Sequence, residues 1–495
     1  MNKKLQITFW GGIGSVTGAN FLLEGENTKL LVDCGLLQGA TNAYEENKKP
    51  FPYDPKTIDF LFITHAHMDH IGRVCKLVKD GFRGVIYSTP ETRELANVML
   101  LDAIKIMDIN PVRDREGSQR ASISNGMNAK DPSQSGLSPE SPLYSILDFN
   151  QAMLLWKTIP YHTQTKVNDE FSVYLKDAGH ILGSSMYEFT FTPTLGVGEK
   201  VKVVFTGDSG NSPTPLLKNT EPITDADYLI VDSVYGDRNH ESKDERDARF
   251  KQIVTETIQN RGALVIPAFS VERTQVILYE LNNLVEDKKI PSVPIFLDSP
   301  LGQKVTDIYA RDWRDFNSGV QSEIKSGDNI FSFPKLNITH GSRDSQAIVN
   351  TANPKIIIAG SGMSSGGRVI DHEIHFLPDP KSTILLMGYQ ALGTLGRRIQ
   401  DFSSKAPALR SLGEAVEIKG SMIPVRARIE MISGYSSHKD SDSIVAMVSD
   451  TAKTVKKVFV VMGEPKSSIY LAQRLRDELE VDAVYPERGK VYRLE

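Results

Sequence analysis

Cysteine is nearly absent from this sequence, since Cys34 and Cys75 are its only two thiols in 495 residues. Two cysteines cannot build a disulfide framework, which excludes a disulfide-stapled secreted domain and favours a reducing compartment. Uninterrupted apolar runs of about 20 residues are also missing, and the N-terminus MNKKLQITFWGG has no signal-like apolar core. We therefore expect a soluble cytoplasmic protein that does not enter a membrane.

A strong charge of one sign is missing as well, because the formal net charge is −5. This value neither favours nor excludes a polyanionic partner, since nucleic-acid binding needs a local basic surface rather than a basic whole. With 40% hydrophobic and 24% charged residues the chain has an ordinary globular composition. Its length allows two or three domains with proper cores.

The first part of the chain contains short β-rich runs, and a pattern of alternating helices and strands begins near residue 236. The early runs LQITF, NFLLEG, KLLVDCG and DFLFITH are bounded by Gly and Asp and predict consecutive strands. From about 236, helical patterns such as VERTQVILYELNNLV alternate with strand-like runs such as ALVIPAF and KIIIAGSG. This βαβ alternation predicts a mainly parallel sheet with helices on its faces.

Two other segments of the chain fit neither of these two patterns. Residues 111–142 contain hardly any large apolar side chain, which predicts a flexible surface insertion without a core of its own. The early GGIGSVTG is rich in glycine, but its spacing differs from the dinucleotide-binding fingerprint. We interpret this stretch as a turn.

The clearest chemical signal is ITHAHMDHIGR, residues 63–73, directly after an apolar strand-like run. His65 and His67, at i and i+2 beyond a strand, can converge on one metal ion, and Asp69 and His70 can face a second. The alternative is an accidental surface cluster. Four ligand-type residues within six positions make that alternative much weaker than it would be for a histidine pair alone.

Further ligands are needed to complete a tetrahedral site, and two single residues qualify. His180 in DAGHILGSS and Asp208 in FTGDSG each follow a strand-like run and precede small residues. Small residues let a loop approach a buried ion closely. Taken alone, a lone histidine is more often an ordinary core or surface residue.

These residues, with Asp33 in VDCG, resemble the ordered signature of metallo-β-lactamase-fold hydrolases. Stretches farther along the chain narrow the resemblance to the β-CASP nucleases, the RNA-processing branch of that fold; they include LIVDSVYG, VIPAFSVERTQ, IIAGSGMSSGGRV, GYQALGTLGRR and ISGYSSHKD. The resemblance implies an αββα sandwich with an inserted β-CASP α/β domain. It implies a first domain over 1–233, the β-CASP domain over 234–420, and a return to the first domain over 421–495.

The resemblance also assigns roles to particular residues. It implies that His65, His67 and His180 bind a first Zn²⁺, and that Asp208 bridges to a second ion held by Asp69 and His70. Asp33 is expected to orient the ligand loop. Asp232 and His438 match the family's motif A and motif B, so with Asp69 they form the expected catalytic set. A zinc-bound water would supply the hydroxide, and His438 would protonate the leaving oxygen.

One position departs from the family pattern. Where RNA-cleaving members carry a histidine that completes the second zinc site, this chain has Met462 in VFVVMGEP. A thioether is a soft, poor match for zinc among carboxylates and imidazoles. The other interpretation is that Met462 simply packs at a strand end. In both cases we expect one firmly bound zinc and a weaker second one.

Substrate contacts are predicted from three places in the sequence. From Lys381 to Arg428 the sequence has only three acidic residues and eight basic ones: Lys381, Arg397, Arg398, Lys405, Arg410, Lys419, Arg426 and Arg428. This local excess indicates either a phosphate track or a solvated mixed surface. Ser361 and Ser364 in SGMSSGGR can offer hydroxyls to phosphate, or the stretch is a plain turn. Arg273, opening a helix, is a further candidate.

The sequence thus predicts a zinc-dependent ribonuclease that acts on single-stranded RNA, with a homodimer as a possible assembly. Three alternatives stay open: a catalytically weak RNA-binding member of the family, a DNA-directed nuclease, and a small-molecule metallo-hydrolase. The intact ligand set disfavours the first, while Met462 favours it weakly. The large inserted domain disfavours a small-molecule hydrolase, because a small substrate does not need a second domain over the metal site.

Overall fold

The structure is a computed structural model that describes residues 5–39, 42–124, 142–194, 199–405 and 413–495. Within these ranges no helix is both long and apolar enough to cross a bilayer. The strands follow in chain order: β1 Gln6–Phe9, β2 Phe21–Glu24, β3 Lys29–Val32, β4 Phe60–Phe62, β5 Val85–Ser88, β6 Trp156–Thr158, β7 Thr165–Lys166, β8 Phe171–Asp177, β9 Ser185–Phe191, β10 Val201–Phe205, β11 Tyr228–Asp232, β12 Ala263–Pro267, β13 Ile295–Asp298, β14 Leu336–Ile338, β15 Lys355–Ala359, β16 Thr383–Met387, β17 Ala415–Ile418, β18 Ser421–Pro424, β19 Arg428–Ile432, β20 Lys457–Val461, β21 Ala483–Val484 and β22 Val491–Arg493.

The helices are given in the same order: α1 Ala43–Lys48, α2 Met68–Ile71, α3 Val74–Lys79, α4 Pro90–Ser124, α5 Ile146–Leu155, α6 Lys243–Gln259, α7 Arg273–Glu286, α8 Pro300–Arg311, α9 Ser318–Lys325, α10 Ser342–Asn350, α11 Val369–Phe376, α12 Leu395–Gln400, α13 Ser441–Ser449 and α14 Pro465–Leu479. Short 3₁₀ helices lie at Pro55–Thr57 and Trp313–Asp315.

Two facing sheets form a sandwich. Sheet A runs in the order β22-β1-β2-β3-β4-β5-β6, and sheet B in the order β21-β20-β11-β10-β9-β8-β7. Their inner faces share one apolar core in which Phe62 of sheet A meets Phe189 of sheet B, with ring centroids 4.8 Å apart. Helices α3, α4 and α5 pack outside sheet A, and α13 and α14 outside sheet B. This layering confirms the predicted αββα sandwich.

A separate parallel sheet, sheet C, has the order β14-β13-β15-β12-β16-β19. Strands β12, β15 and β16 are buried at every residue and read as near-continuous apolar runs, as strands covered on both faces do. Alternate residues of β12 point to opposite cores: Leu264 and Ile266 to one, Ala263 and Val265 to the other. The predicted parallel α/β domain is confirmed.

The C-terminal part of the chain contributes to every one of these sheets. Strand β19 pairs with β16 in sheet C, β20 pairs with β11 in sheet B, and β22 pairs with β1 in sheet A. The predicted return to the first domain at residue 421 therefore does not describe β19, which extends the parallel sheet. Strand β19 lies at the edge of that sheet, and its short sequence RIEMI does not indicate which sheet it joins.

The segment predicted as a flexible insertion, 111–142, is helical in its first part. Helix α4 continues the pattern of PETRELANVMLLDAIKIM as far as Ser124. Residues 125–141 of this segment lie outside the described residues. The composition argument concerned burial of a core, which a helix backbone does not require, so it did not exclude helix at 111–124.

Candidate metal centre

The ligand-type residues lie just beyond strand ends of the sandwich. His65 and His67 follow β4, His180 follows β8, and Asp208 follows β10. Asp232 is the last residue of β11. Because these strands belong to facing sheets, their connecting loops meet at one edge of the sandwich. Gly35 allows this closeness, since a Cβ there would lie 1.4 Å from the Asp69 carbonyl oxygen.

A first set of donors consists of His65, His67, His180 and Asp208, with all four ligand atoms within 4.8 Å of one another. His67 Nδ1 lies 3.1 Å from His65 Nε2 and 3.2 Å from His180 Nε2. Asp208 Oδ2 lies 3.5 Å from His65 Nε2 and 3.6 Å from His180 Nε2. Bonds of ~2.0–2.1 Å to a tetrahedral zinc would separate its ligand atoms by roughly 3.3 Å, so the spacing fits.

A second set consists of Asp69, His70 and the same Asp208. His70 Nε2 lies 3.4 Å from Asp208 Oδ1 and 3.8 Å from Asp69 Oδ2. The two oxygens of Asp208 thus face different sets, as a bridging carboxylate requires. Among the described residues, His70 Nε2 and Asp208 Oδ1 are buried without a hydrogen-bond partner. Buried polar atoms without partners are costly, so the donors present fit a metal ion.

Asp33 holds the ligand loop from behind. Its carboxylate accepts hydrogen bonds from the Thr64 amide and hydroxyl, each at 2.8 Å, and lies 2.7 Å from His70 Nδ1. Such a partner fixes the ring so that Nε2 faces Asp208 Oδ1 in the second set. Thr64 Oγ1 also lies 3.0 Å from Nδ1 of His65. Asp33 is fully buried, with φ +61°, a left-handed conformation that aspartate tolerates better than most residues.

Burial and nearby charges set the protonation of the site. Burial lowers the pKa of His65 and His180 well below the usual range and that of His67 to about 3, so these rings are neutral, as metal ligands must be. Burial also lowers the pKa of His70, but the surrounding carboxylates, Asp208 above all, outweigh it and raise that pKa well above its usual value. The second set therefore carries an excess of negative charge that a cation would neutralise.

Asp232 and His438 lie next to the shared carboxylate. His438 Nδ1 is 3.5 Å from Asp232 Oδ2 and 3.9 Å from Asp208 Oδ2. Asp232 is also fixed by the Ser209 amide, which donates to its Oδ1 at 3.1 Å. The loop of His438 is tied to the first set because Nδ1 of His180 lies 3.0 Å from the Ser437 carbonyl oxygen.

Met462 lies at the end of β20, with φ +50°. Its side chain is 2% exposed and belongs to the apolar core between sheets A and B. It also borders a small void that is lined by His70 and Asp33. This placement agrees with the packing interpretation of Met462, and it sets the side chain close to the second set.

A cavity of about 390 Å³ opens above the donors, between the sandwich and the parallel sheet. His67, Asp69, His180, Asp208 and His438 line it from the sandwich, and Arg273 and Ser361 line it from the other side. Arg273 begins α7 directly after Glu272, whose φ of +65° turns the chain into the helix. Its Nη2 donates to Ser437 Oγ at 3.1 Å, while its Nε is buried with no partner among the described residues.

The other predicted substrate contacts do not line this cavity. Ser364 is 1% exposed and its hydroxyl donates to Glu373. Arg397 and Arg398 lie next to each other on α12; Arg397 donates to the Gln390 carbonyl oxygen at 3.3 Å, and Arg398 is exposed. Arg410 of the predicted basic track lies outside the described residues. The sequence indicated the loop SGMSSGGR as a substrate contact but did not show that Ser361 lines the cavity while Ser364 is buried.

Sequence reasoning missed several residues that shape the cavity. Phe269, Tyr389 and Ser437 all line it. Phe269 packs so closely on Gly362 that a Cβ there would lie 2.6 Å from its ring. Their closeness in sequence to predicted site residues could have indicated two of them, because Phe269 lies four residues before Arg273 and Ser437 directly precedes His438.

Comparison with known proteins agrees with this architecture. The chain matches the metallo-β-lactamase superfamily profile over 14–122, the β-CASP domain over 274–399, and the Zn-dependent metallo-hydrolase RNA specificity domain over 422–486. It is 31% identical to ribonuclease TTHA0252 of Thermus thermophilus over 95% of this chain and 96% of that protein. The chain therefore belongs to the β-CASP family of metallo-β-lactamase-fold RNA nucleases and is a metal-dependent hydrolase.

Archaeal relatives are similar over nearly the whole chain as well. The transcription termination factor FttA of Methanosarcina mazei is 30% identical over 97% of this chain and 70% of that protein. FttA of Thermococcus kodakarensis is 28% identical over 100% of this chain and 72% of that protein.

Proposed function

We propose that this protein is a zinc-dependent ribonuclease that hydrolyses phosphodiester bonds of single-stranded RNA. The observation that carries the proposal is the meeting of two donor sets at Asp208, on the floor of a cavity that Arg273 enters from the opposite side. The names of its relatives, a ribonuclease and transcription termination factors, agree with RNA as the substrate.

Zinc is the metal that the first set suits best. Three neutral imidazoles and one carboxylate within tetrahedral spacing are typical zinc ligands, whereas magnesium and calcium prefer oxygen ligands. Asp69 and His70, with Asp208, would hold a second ion. When bound, the metal supplies Lewis-acid stabilisation of phosphoryl charge and makes water nucleophilic at neutral pH.

The remaining residues position the substrate and handle the proton. Arg273, whose buried Nε has no partner among the described residues, is placed to hold a non-bridging phosphate oxygen, and Ser361 offers a hydroxyl to the same group. Asp232 orients the His438 imidazole, which donates a proton to the leaving oxygen. The products are expected to carry a 5′-phosphate and a 3′-hydroxyl.

The cavity also supports the choice of a single strand. It lies beneath the parallel sheet and its helices, so an RNA strand can reach the donors only when its flanking nucleotides are unpaired. We expect a blunt RNA duplex to resist cleavage under conditions in which the same strand alone is cut. Efficient cleavage of such a duplex would contradict the single-strand specificity.

The decisive experiment combines metal analysis with cleavage of end-labelled single-stranded RNA. The wild type is compared with His67→Ala and with the control His162→Ala, which removes an exposed histidine paired to Glu221. We expect zinc and cleavage in the wild type and in the control, and loss of both in His67→Ala. A wild type that binds RNA without cutting it would overturn the proposal. The homodimer stays a prediction, which analytical ultracentrifugation would test.

A further inference from the structure

A second cavity, of about 580 Å³, lies beside the catalytic cleft on the sandwich. It is bordered by the glycine-rich loop GGIGSVTG and by the segment around Pro50–Pro52. Thr17 lines both this cavity and the catalytic one, so the two cavities adjoin there. Its size is within the range of small-molecule binding pockets. We call it the flank pocket.

Positive charge dominates the flank pocket. Its lining includes three cationic side chains, Lys49, Arg73 and Arg488, against the one carboxylate of Glu46. That carboxylate is already paired, since Lys49 Nζ lies 2.6 Å from its Oε1. The two arginines are therefore left as a net positive pair, in a chain whose overall charge is negative.

Hydrogen-bond donors in the flank pocket lack acceptors. The Nε atom of Arg73 and the indole Nε1 of Trp10 are both buried with no partner in the part of the chain that the structure describes. Arg73 is held in place by the Phe51 ring, 4.2 Å from its guanidinium carbon. Arg488 is held by a 2.9 Å hydrogen bond from its Nε to the Trp10 carbonyl oxygen. Buried donors without acceptors beside a positive pair call for an anionic ligand with several oxygens.

The glycine-rich loop GGIGSVTG borders the flank pocket at Gly11, Gly12 and Gly18. Gly12, Gly14 and Gly18 adopt φ values of +65°, +74° and +84°, a conformation that favours glycine. A Cβ at Gly12 would lie 2.5 Å from the Met462 sulfur, so the loop is fixed against the core on one side and borders the pocket on the other. Half-buried Trp10 adds an aromatic surface suited to a planar base.

We propose that the flank pocket binds a nucleoside phosphate, with the phosphate at Arg73 and Arg488 and the base at Trp10. The shared lining at Thr17 indicates a nucleotide that flanks the cleaved bond in the same RNA strand. This source rests on the proposed ribonuclease function. A free mononucleotide has the same chemistry and is the other source.

The test uses two arginine variants and one matched control in the full-length, zinc-loaded protein. Arg73→Gln and Arg488→Gln each remove one charge from the pocket, and Arg343→Gln removes an exposed arginine from α10. The RNA arm measures kcat and KM for single-stranded RNA at several salt concentrations. The nucleotide arm measures AMP binding by isothermal titration calorimetry. Thermal unfolding of each variant checks that it is folded.

If a flanking nucleotide occupies the pocket, KM rises about five- to tenfold in each pocket variant while kcat stays within about twofold. The slope of log KM against log salt concentration falls by about 0.7 for each lost phosphate contact. Arg343→Gln leaves both quantities unchanged. Should Arg73→Gln fail to fold, the charge reversal Arg488→Glu, at an exposed position, is expected to raise KM further.

The two arms separate this proposal from the proposed function. Loss of AMP affinity in the pocket variants with unchanged RNA kinetics supports the nucleoside-phosphate site but assigns it to a free nucleotide. If the wild type binds AMP but cuts no RNA, and Arg73→Gln binds AMP more weakly, the ribonuclease function is overturned and the nucleoside-phosphate site is supported. Pocket variants that match Arg343→Gln in both arms overturn the site, whether or not RNA is cut.

Discussion

Two buried clusters in this protein each contain aspartate and histidine, but they differ in whether the aspartate carboxylate is fully hydrogen-bonded by the protein. In the sandwich, Asp208 and His70 face each other with atoms that have no hydrogen-bond partner among the described residues. In the parallel sheet, fully buried Asp298 at the end of β13 has both carboxylate oxygens engaged. The groups that donate to it are Arg368 Nη1 (2.6 Å), Thr339 Oγ1 (2.6 Å), Ser345 Oγ (2.6 Å) and His372 Nε2 (2.7 Å).

The difference teaches how to recognise a ligand site among buried charges. Burial alone would raise the pKa of Asp298, but hydrogen bonds, that of His372 first, hold it well below its usual range. The Asp298 carboxylate is satisfied by protein groups alone, and its partners tie two helices to the sheet, since His372 lies on α11 and Ser345 on α10. In the sandwich cluster, the atoms without hydrogen-bond partners among the described residues fit a metal ion instead.

The largest effect is expected from Asp208→Asn, which removes the carboxylate that the two donor sets share. Both donor sets lose their common carboxylate, so zinc content should fall and RNA cleavage should drop on the order of 10³-fold or more. Elemental analysis and initial rates measure these changes. Asp225→Asn, an exposed aspartate before β11, is the control. Wild-type zinc content in Asp208→Asn would show that the sets do not share it as a ligand.

Asp298→Asn is expected to destabilise the protein without affecting the metal. Removing a buried charge that pairs with Arg368 and His372 should lower the free energy of unfolding by about 3 kcal/mol. Zinc per folded molecule and kcat should remain at wild-type values. Urea unfolding, compared with the exposed Asp307→Asn on α8, measures the difference. Loss of zinc at unchanged stability would reverse the contrast between the clusters.

A smaller effect is expected from Asp33→Asn, which leaves every donor in place but removes the negative charge behind His70. The amide cannot accept equally from Thr64 and His70, so the ring loses its fixed orientation. Zinc affinity should fall about 10- to 100-fold. Competition with a chromophoric chelator measures it, with Asp59→Asn as the exposed control. Unchanged affinity would mean that Thr64 alone positions the ligand loop.

The smallest change sharpens the comparison by completing the second set. Met462→His places an imidazole at a left-handed position that histidine tolerates, beside the void shared with His70. We expect the second ion to bind about tenfold more tightly, because a fourth donor becomes available. The control Met462→Leu keeps the apolar packing and should change nothing. Equal gains in both variants would trace the effect to packing rather than to ligation.

Much of the candidate site could be predicted because its residues are local or follow recognisable strands. The spacing of His65, His67, Asp69 and His70 is a property of one short loop, and the structure gathers these residues with His180 and Asp208. Their roles as ligands remain predictions that the variants above test. The parallel sheet was also predictable, since it rests on the alternation of helical and strand-like segments, whereas the αββα layering came from the family resemblance.

What could not be predicted depends on contacts between distant segments. Ser361 and Ser364 are equivalent in sequence, yet only the packing of α11 buries Ser364 against Glu373. The sequence of strand β19 does not indicate which sheet it joins, because its edge position in sheet C is set by pairing with β16, 41 residues or more away in the chain. The Asp298 cluster draws its members from β13, α10 and α11 and the loop at Thr339, a combination that no local pattern marks.

The distribution of the C-terminal strands bears on when a newly made chain can become active. Strand β20 lies between β11 and β21 in sheet B, β22 covers β1 in sheet A, and His438 arrives with the segment that precedes them. A ribosome-bound chain that has not yet produced these residues lacks both His438 and the strands that close the sandwich. Because these residues are made last, neither the position of His438 beside Asp232 nor the closed sandwich can form before the end of synthesis is near.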